Sequence, residues 1–181
     1  MGAHQTISHL NYAGELLKSG GSNLRVIYLG IYFISVLATI MMYILGNNLA
    51  EPLLTESGLS GGGNGNPGLF PFVVLSPFLL IFIYGTYWLF NKGIDNVTVK
   101  SKWGLTIISC AVFTLIFAFT LNKAEALRYL IVNQNPSFEN VSQVDLINTY
   151  SNSIFFNFYT FVALLLIILV AAGIRVLLVR R

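Results

Sequence analysis

Charge is scarce in this sequence, and where it is missing matters more than how little there is. Asp, Glu, Lys and Arg make up 9% of 181 residues, ten basic and seven acidic. None lies in the interior of four apolar stretches at about residues 24–46, 69–90, 104–121 and 154–174. An ionised group at the bilayer centre costs at least about 2.5–3.5 kcal/mol, so functional membrane sites usually show themselves as buried charges. Their absence argues against a proton relay, an acid-coupled antiporter or an intramembrane protease. Histidine is equally sparse: His4 and His9 are the only two, about 140° apart around a helix, and they do not converge as metal or haem ligands. The single cysteine, Cys110, forms neither an intrachain disulfide nor a multi-cysteine metal centre. It reads as a small packing residue. No cofactor is expected. The formal charge of +3 is dispersed along the borders of the apolar stretches, which argues against a nucleic-acid partner.

What is abundant is apolar sequence, 55% of the chain. A hydrocarbon core of roughly 30 Å needs about 20 residues of helix, and each stretch comes close to that length. The expected fold is therefore an all-α integral membrane protein, one domain over residues 1–181 with four transmembrane helices in a bundle. Its first partner is the lipid bilayer. The first stretch has no small-residue cleavage pattern after it and reads as a retained span, not a signal peptide.

Orientation follows from lysine and arginine, which are retained on the cytoplasmic side during insertion. Lys18 and Arg25, then Lys92, Lys100 and Lys102, then Arg175, Arg180 and Arg181 alternate with two loops poor in net positive charge. Those loops carry Glu51 and Glu56, and Lys123 and Arg128 against Glu125, Glu139 and Asp145. Both termini are expected to be cytoplasmic. Trp88 and Trp103 then fall at the cytoplasmic ends of spans two and three, and Phe155, Phe156, Phe158 and Tyr159 form an outer aromatic belt, as interfacial rings prefer.

Outside the spans, Ile7, Leu10, Gly14 and Leu17 place apolar groups on one helical face and predict a short N-terminal interfacial helix, ended by Gly20 and Gly21. Residues 47–68 end in a Gly- and Asn-rich run from Ser60 to Gly68, the composition of a flexible outer loop. Pro77 should bend span two, with Ser76 re-satisfying a freed carbonyl. Residues 122–153 form a partly helical outer loop. Ala124 to Val132 extends span three until Asn135-Pro136 stops it, and Ser142 with Asp145 has capping-box-like spacing before span four.

Two polar stripes stand out within the spans. Tyr28, Tyr32, Ser35, Thr39 and Tyr43 recur at helical spacing in span one, and Thr106, Cys110, Thr114 and Ala118 recur every four residues in span three. Small residues permit close helix approach, and the two faces are expected to meet. Packing, with hydroxyls bonded to the preceding turn, is the plainer interpretation; a hydroxyl-lined path or lipid pocket is the sharper one. Asn157 and Thr160 in span four form a further polar pair, expected to join helices rather than bind an ion.

The remaining motifs carry less. Met1 to Thr6 fits an N-myristoylation pattern, although a four-span protein needs no lipid anchor. Asn96-Val97-Thr98 and Asn140-Val141-Ser142 are sequons, of which the topology exposes only Asn140 outside. The Gly61 to Gly68 run lacks the Lys-Ser/Thr ending of a phosphate loop. The two halves show no repeat beyond hydrophobicity, so a duplicated transporter fold is unsupported. Nor does the chain have the loop cysteines of tetraspanins, claudins or connexins, or the buried glutamate of small multidrug exporters. These exclusions favour a non-catalytic accessory or structural subunit of a membrane complex, docking other integral membrane subunits through helix faces and the outer loop. The alternative is a homo-oligomeric channel or carrier for a neutral or lipid-like molecule, which needs no buried charge. A lipid-modifying enzyme is the weakest reading, because no acid–base group gathers near a nucleophile.

Overall fold

The computed structural model describes residues 3–50, 54–55, 58–59, 66–134 and 138–179, with side chains of the first helix described from residue 24. Helices dominate: α1 (Ala3–Asn48), α2 (Phe70–Val74), α3 (Ser76–Asp95), α4 (Val99–Gln134), α5 (Asn152–Phe155) and α6 (Phe158–Val179). Two 3-10 turns, Pro67–Leu69 and Val141–Gln143, and a two-residue antiparallel pair, β1 (Leu54–Thr55) with β2 (Gly58–Leu59), complete the described elements. Leu24–Asn48, Val99–Gln134 and Phe158–Val176 are long and apolar enough to cross a membrane. A fourth crossing exists if Pro67–Val74 and Ser76–Asp95, bent by 62°, act as one span.

That bend has the cause expected. Pro77 has no N–H for the carbonyl of Val73, four residues earlier, and the helix breaks at Leu75. The Ser76 hydroxyl donates to that same Val73 carbonyl at 2.9 Å, so the break leaves no orphaned acceptor there. Elsewhere the helices overrun expectation. Gly20 and Gly21 do not end a separate helix, since α1 continues through both; once a helix is nucleated, each added residue gains a hydrogen bond that offsets much of a glycine's cost of roughly 1 kcal/mol. The apolar face of Ile7 to Leu17 and the pair His4 and His9 lie outside the residues whose side chains are described. Most of the Ser60 to Gly68 run likewise lies outside the described residues.

The extension of span three is present, with α4 running unbroken to Gln134. At 36 residues it is about 54 Å long, far more than a hydrocarbon core requires. The capping reading of Ser142 and Asp145 is corrected: Ser142 lies inside a 3-10 turn whose cap is Asn140, and the Asn140 side chain accepts the Ser142 N–H at 3.1 Å. The long final helix begins only at Phe158.

Packing follows the order α1 on α3, α3 on α6 and α6 on α4, an open series with α1 and α4 at opposite edges. Glycine sets two of these seams. The Tyr32 ring of α1 lies over Gly85 of α3, and Thr106 of α4 lies against Gly173 of α6, where a β-carbon would collide in either case. Between α3 and α6, Ile94, Ala172 and Val176 form a buried cluster flanked by Tyr87, Phe90 and Leu169. Toward the other end, Phe156 stacks on Phe72 at 4.2 Å, and Tyr43 meets Phe72, Phe156 and Phe161 edge-on. Phe156 is thus part of the core, whereas Phe158 and Tyr159 face outward.

Replacing Gly173 by leucine overpacks the α4–α6 seam and should destabilise the protein by about 1–3 kcal/mol. Gly93, whose β-carbon position is open, should accept alanine with no loss, because the helix gains propensity. Thermal unfolding of both variants in detergent checks the contrast.

Candidate functional site: polar clusters at both ends and an outward stripe

The structure separates the two stripes. In α1, Tyr28 is exposed, while Ser35 and Thr39 are fully enclosed. Their hydroxyls are engaged within their own helix: Ser35 donates to the Tyr32 carbonyl at 2.6 Å and Thr39 to the Ser35 carbonyl at 2.8 Å. Tyr32 reaches across by a hydrogen bond, its hydroxyl 3.0 Å from that of Thr86 on α3, and Tyr43 by its ring contacts with Phe72, Phe156 and Phe161. In α4, Thr106 is buried and donates to the Lys102 carbonyl at 2.9 Å. Cys110, Thr114 and Ala118 are exposed, and Thr114 donates back to the Cys110 carbonyl at 2.9 Å. The expected meeting of the stripes does not occur, because α1 rides on α3 and α4 on α6. Geometry explains the divergence. A step of four residues overshoots a helical turn by about 40°, so Ala118 stands roughly 120° around from Thr106. The buried face runs instead through Lys102, Thr106, Ser109, Thr120, Ala124 and Ile131.

Asn157 and Thr160 join no two distant helices; they form a reciprocal cap. The Asn157 side chain accepts the Tyr159 and Thr160 N–H groups at 2.9 and 3.1 Å, and the Thr160 hydroxyl accepts the Asn157 N–H at 3.1 Å. The Asn157 amide also donates to the Ser153 and Ile154 carbonyls at the end of α5. One side chain thereby satisfies two helix termini that would otherwise hold unpaired backbone groups.

That cap belongs to an asparagine-rich cluster that neither polar stripe includes. Asn152, with 0% of its surface exposed, exchanges amide hydrogen bonds of 2.7 Å with Asn66 and donates to the Leu49 carbonyl at 3.3 Å. Asn47 donates to the Phe156 carbonyl at 2.8 Å. These residues tie the end of α1, the turn before α2 and the segment before α6. Beside them, Arg128 donates to the Val141 and Val144 carbonyls, each at 2.7 Å, and pairs with Glu125 at 2.7 Å. The segment between α4 and α5 is thereby fastened to α4.

At the opposite end, the turn between α3 and α4 buries Lys102 to 1% exposure. Its ammonium donates to the Asp95 carbonyl at 3.3 Å, and the negative end of the α3 dipole suits a cation there. Asn91, also buried, donates to the Tyr87 carbonyl at 3.0 Å, while its side-chain oxygen has no partner among the described residues. Lys92 lies 3.8 Å from the centre of the Trp88 ring. Among the described residues no three His, Cys, Asp or Glu side chains gather as a metal site. What the arrangement offers chemically is hydrogen bonding and close packing.

No protein-family model matches the chain, and neither a curated protein nor a solved structure matches it.

Replacing Asn152 by leucine strands the Asn66 amide and the Leu49 carbonyl, and should cost about 1–3 kcal/mol. In a double-mutant cycle with Asn66→Ala, the combined loss should be clearly smaller than the sum of the single losses. Chemical denaturation in mixed micelles measures both.

Proposed function

We propose that this chain is a four-span membrane protein with both termini cytoplasmic, serving as a non-catalytic structural subunit of a larger membrane assembly. The bent pair α2 and α3 supplies the fourth crossing. The alternation of basic residues supports the orientation, which puts the Lys102 end inside and the asparagine cluster outside.

The observation that carries the reading lies at the outer end of α4. This helix overruns the bilayer by several turns, and there it exposes Tyr129 and Leu130, with Ile147 exposed in the segment fastened to it. Apolar side chains outside lipid are costly to leave in water, and clusters of them mark protein contacts. Arg128 holds this surface in one shape, which lowers the ordering cost of binding. Within the membrane, the same helix presents Cys110, Thr114 and Ala118 on the open edge of the series. Because the Thr114 hydroxyl is already bonded, that face tolerates lipid and also allows another helix to approach closely.

Native mass spectrometry after mild-detergent extraction from the source membrane tests the proposal. The expected result is stoichiometric co-purification with different chains, weakened at least tenfold by Tyr129→Ala with Leu130→Ala. Recovery only as a homo-oligomer overturns it in favour of a channel or carrier, and recovery only as a monomer overturns both.

A further inference from the structure

The helix order brings cations from α1, α3, α4 and α6 to one end of the row. From the bond between Tyr32 and Thr86, Arg25 lies seven residues back along α1 and Lys92 six residues on along α3, about 10 and 9 Å down neighbouring helices that run in opposite directions. Lys102 reaches the Asp95 carbonyl at the end of α3, with Lys100 two residues before it, and Arg175 of α6 lies over the ring of Tyr87. Five cations thus share this end with one carboxylate, that of Asp95, among the described side chains. At the other end Lys123 and Arg128 stand against Glu125, Glu139 and Asp145. Lys102 is buried, whereas Arg25, Lys92, Lys100 and Arg175 are exposed.

Two of the exposed charges are seated on aromatic rings. The Lys92 ammonium lies 3.8 Å from the centre of the Trp88 ring, and the Arg175 guanidinium carbon 5.9 Å from the centre of the Tyr87 ring. Tyr87 and Trp88 are consecutive, so one charge from α3 and one from α6 are drawn to rings a single residue apart. A ring face offers a cation its quadrupole but no counter-charge, and Asp95 alone does not balance five cations.

We propose that Lys92 and Arg175, on this Tyr87–Trp88 platform, bind the phosphodiester of an anionic phospholipid, with Arg25 level with Lys92 on α1. Arginine meets phosphate oxygens with a bidentate fork, and lysine adds a point charge. Aromatic rings at a helix end suit the headgroup level, and Trp88 is 47% exposed there. The excess of positive charge favours an anionic lipid over a zwitterionic one, whose headgroup brings its own cation to the same place. A soluble phosphate ester shares the phosphate chemistry. Leu80 and Tyr84, exposed on the turns of α3 that lead to Trp88, favour the lipid, because they offer acyl chains an apolar surface that a free phosphate ester leaves unused.

The inference rests on the membrane-spanning part of the reading above and not on the subunit part; detergent-dependent extraction from the membrane fraction tests that premise by itself. The full chain, delipidated in neutral detergent, is titrated with dioleoylphosphatidylglycerol and with dioleoylphosphatidylcholine, and bound lipid is counted by native mass spectrometry. Phosphatidylglycerol should bind at least tenfold tighter. Lys92→Gln with Arg175→Gln should reduce that preference at least fivefold, whereas Lys100→Gln with Lys123→Gln, which removes as much charge from elsewhere, should leave it within twofold. Trp88→Leu keeps every charge but takes away the seat of Lys92; it should lower the preference at least threefold, and it stands in if the first double variant loses its helical circular dichroism. Equal binding of the two lipids, or equal losses in the two double variants, overturns the proposal. Displacement of bound phosphatidylglycerol by millimolar glycerol phosphate overturns it in favour of a soluble phosphate ester.

Discussion

The contact between Thr106 and Gly173 sets the spacing on which the rest of the structure depends. With only hydrogen on one side of it, α6 lets α4 approach closely enough for a long shared seam, and α6 meanwhile packs its other side on α3. On the membrane-spanning reading proposed above, apolar attraction adds little between helices already surrounded by lipid, and close van der Waals fit drives their association. A second glycine, Gly85, repeats the device one seam away by receiving the Tyr32 ring, and α1 joins the series through α3. The architecture is thus a row anchored on its last helix.

Polar groups in so apolar a chain must find partners within it, and the two solutions seen here are spatially sorted. Along the helices, Ser35, Thr39, Thr106, Thr114 and Thr120 each return a hydroxyl bond to a carbonyl of the preceding turn. Those bonds satisfy the hydroxyls without creating a hydrophilic path. At the helix ends, amides join the hydroxyls, because one Asn side chain offers two donors and a carbonyl acceptor. Asn157 closes one helix and opens the next, while Asn66 and Asn152 clasp segments far apart in sequence. The end tied in this way carries the exposed Tyr129, Leu130 and Ile147 side chains.

Much of this was legible in the residue order wherever the cause is local. Apolar run length locates the candidate spans, and Pro77 with Ser76 accounts for both the bend and its repair; Asn135 and Pro136 lie outside the described residues. Asn157-x-x-Thr160 is equally local, its spacing that of a cap and not of a link between distant helices. Neighbour choice was not legible. In helices that are apolar all round, hydropathy does not mark the buried face, and a strict four-residue interval drifts off it, which is why Thr106 lies in a seam and Ala118 does not. The clasp of Asn66 with Asn152, 86 residues apart, depends on how distant segments converge, and no spacing rule encodes that.

Disulfide cross-linking in the intact membrane, in a Cys110→Ala background, tests the helix order most directly, since a disulfide forms only where β-carbons lie within about 4.5 Å. Cysteine pairs at Tyr32 with Gly85 and at Thr106 with Gly173 should each cross-link within one chain. A pair at Ser35 with Thr114, joining the two polar stripes, should not. Efficient intrachain cross-linking of Ser35 with Thr114, and none at the glycine pairs, would contradict the open order α1, α3, α6, α4 and return the stripes to a common seam.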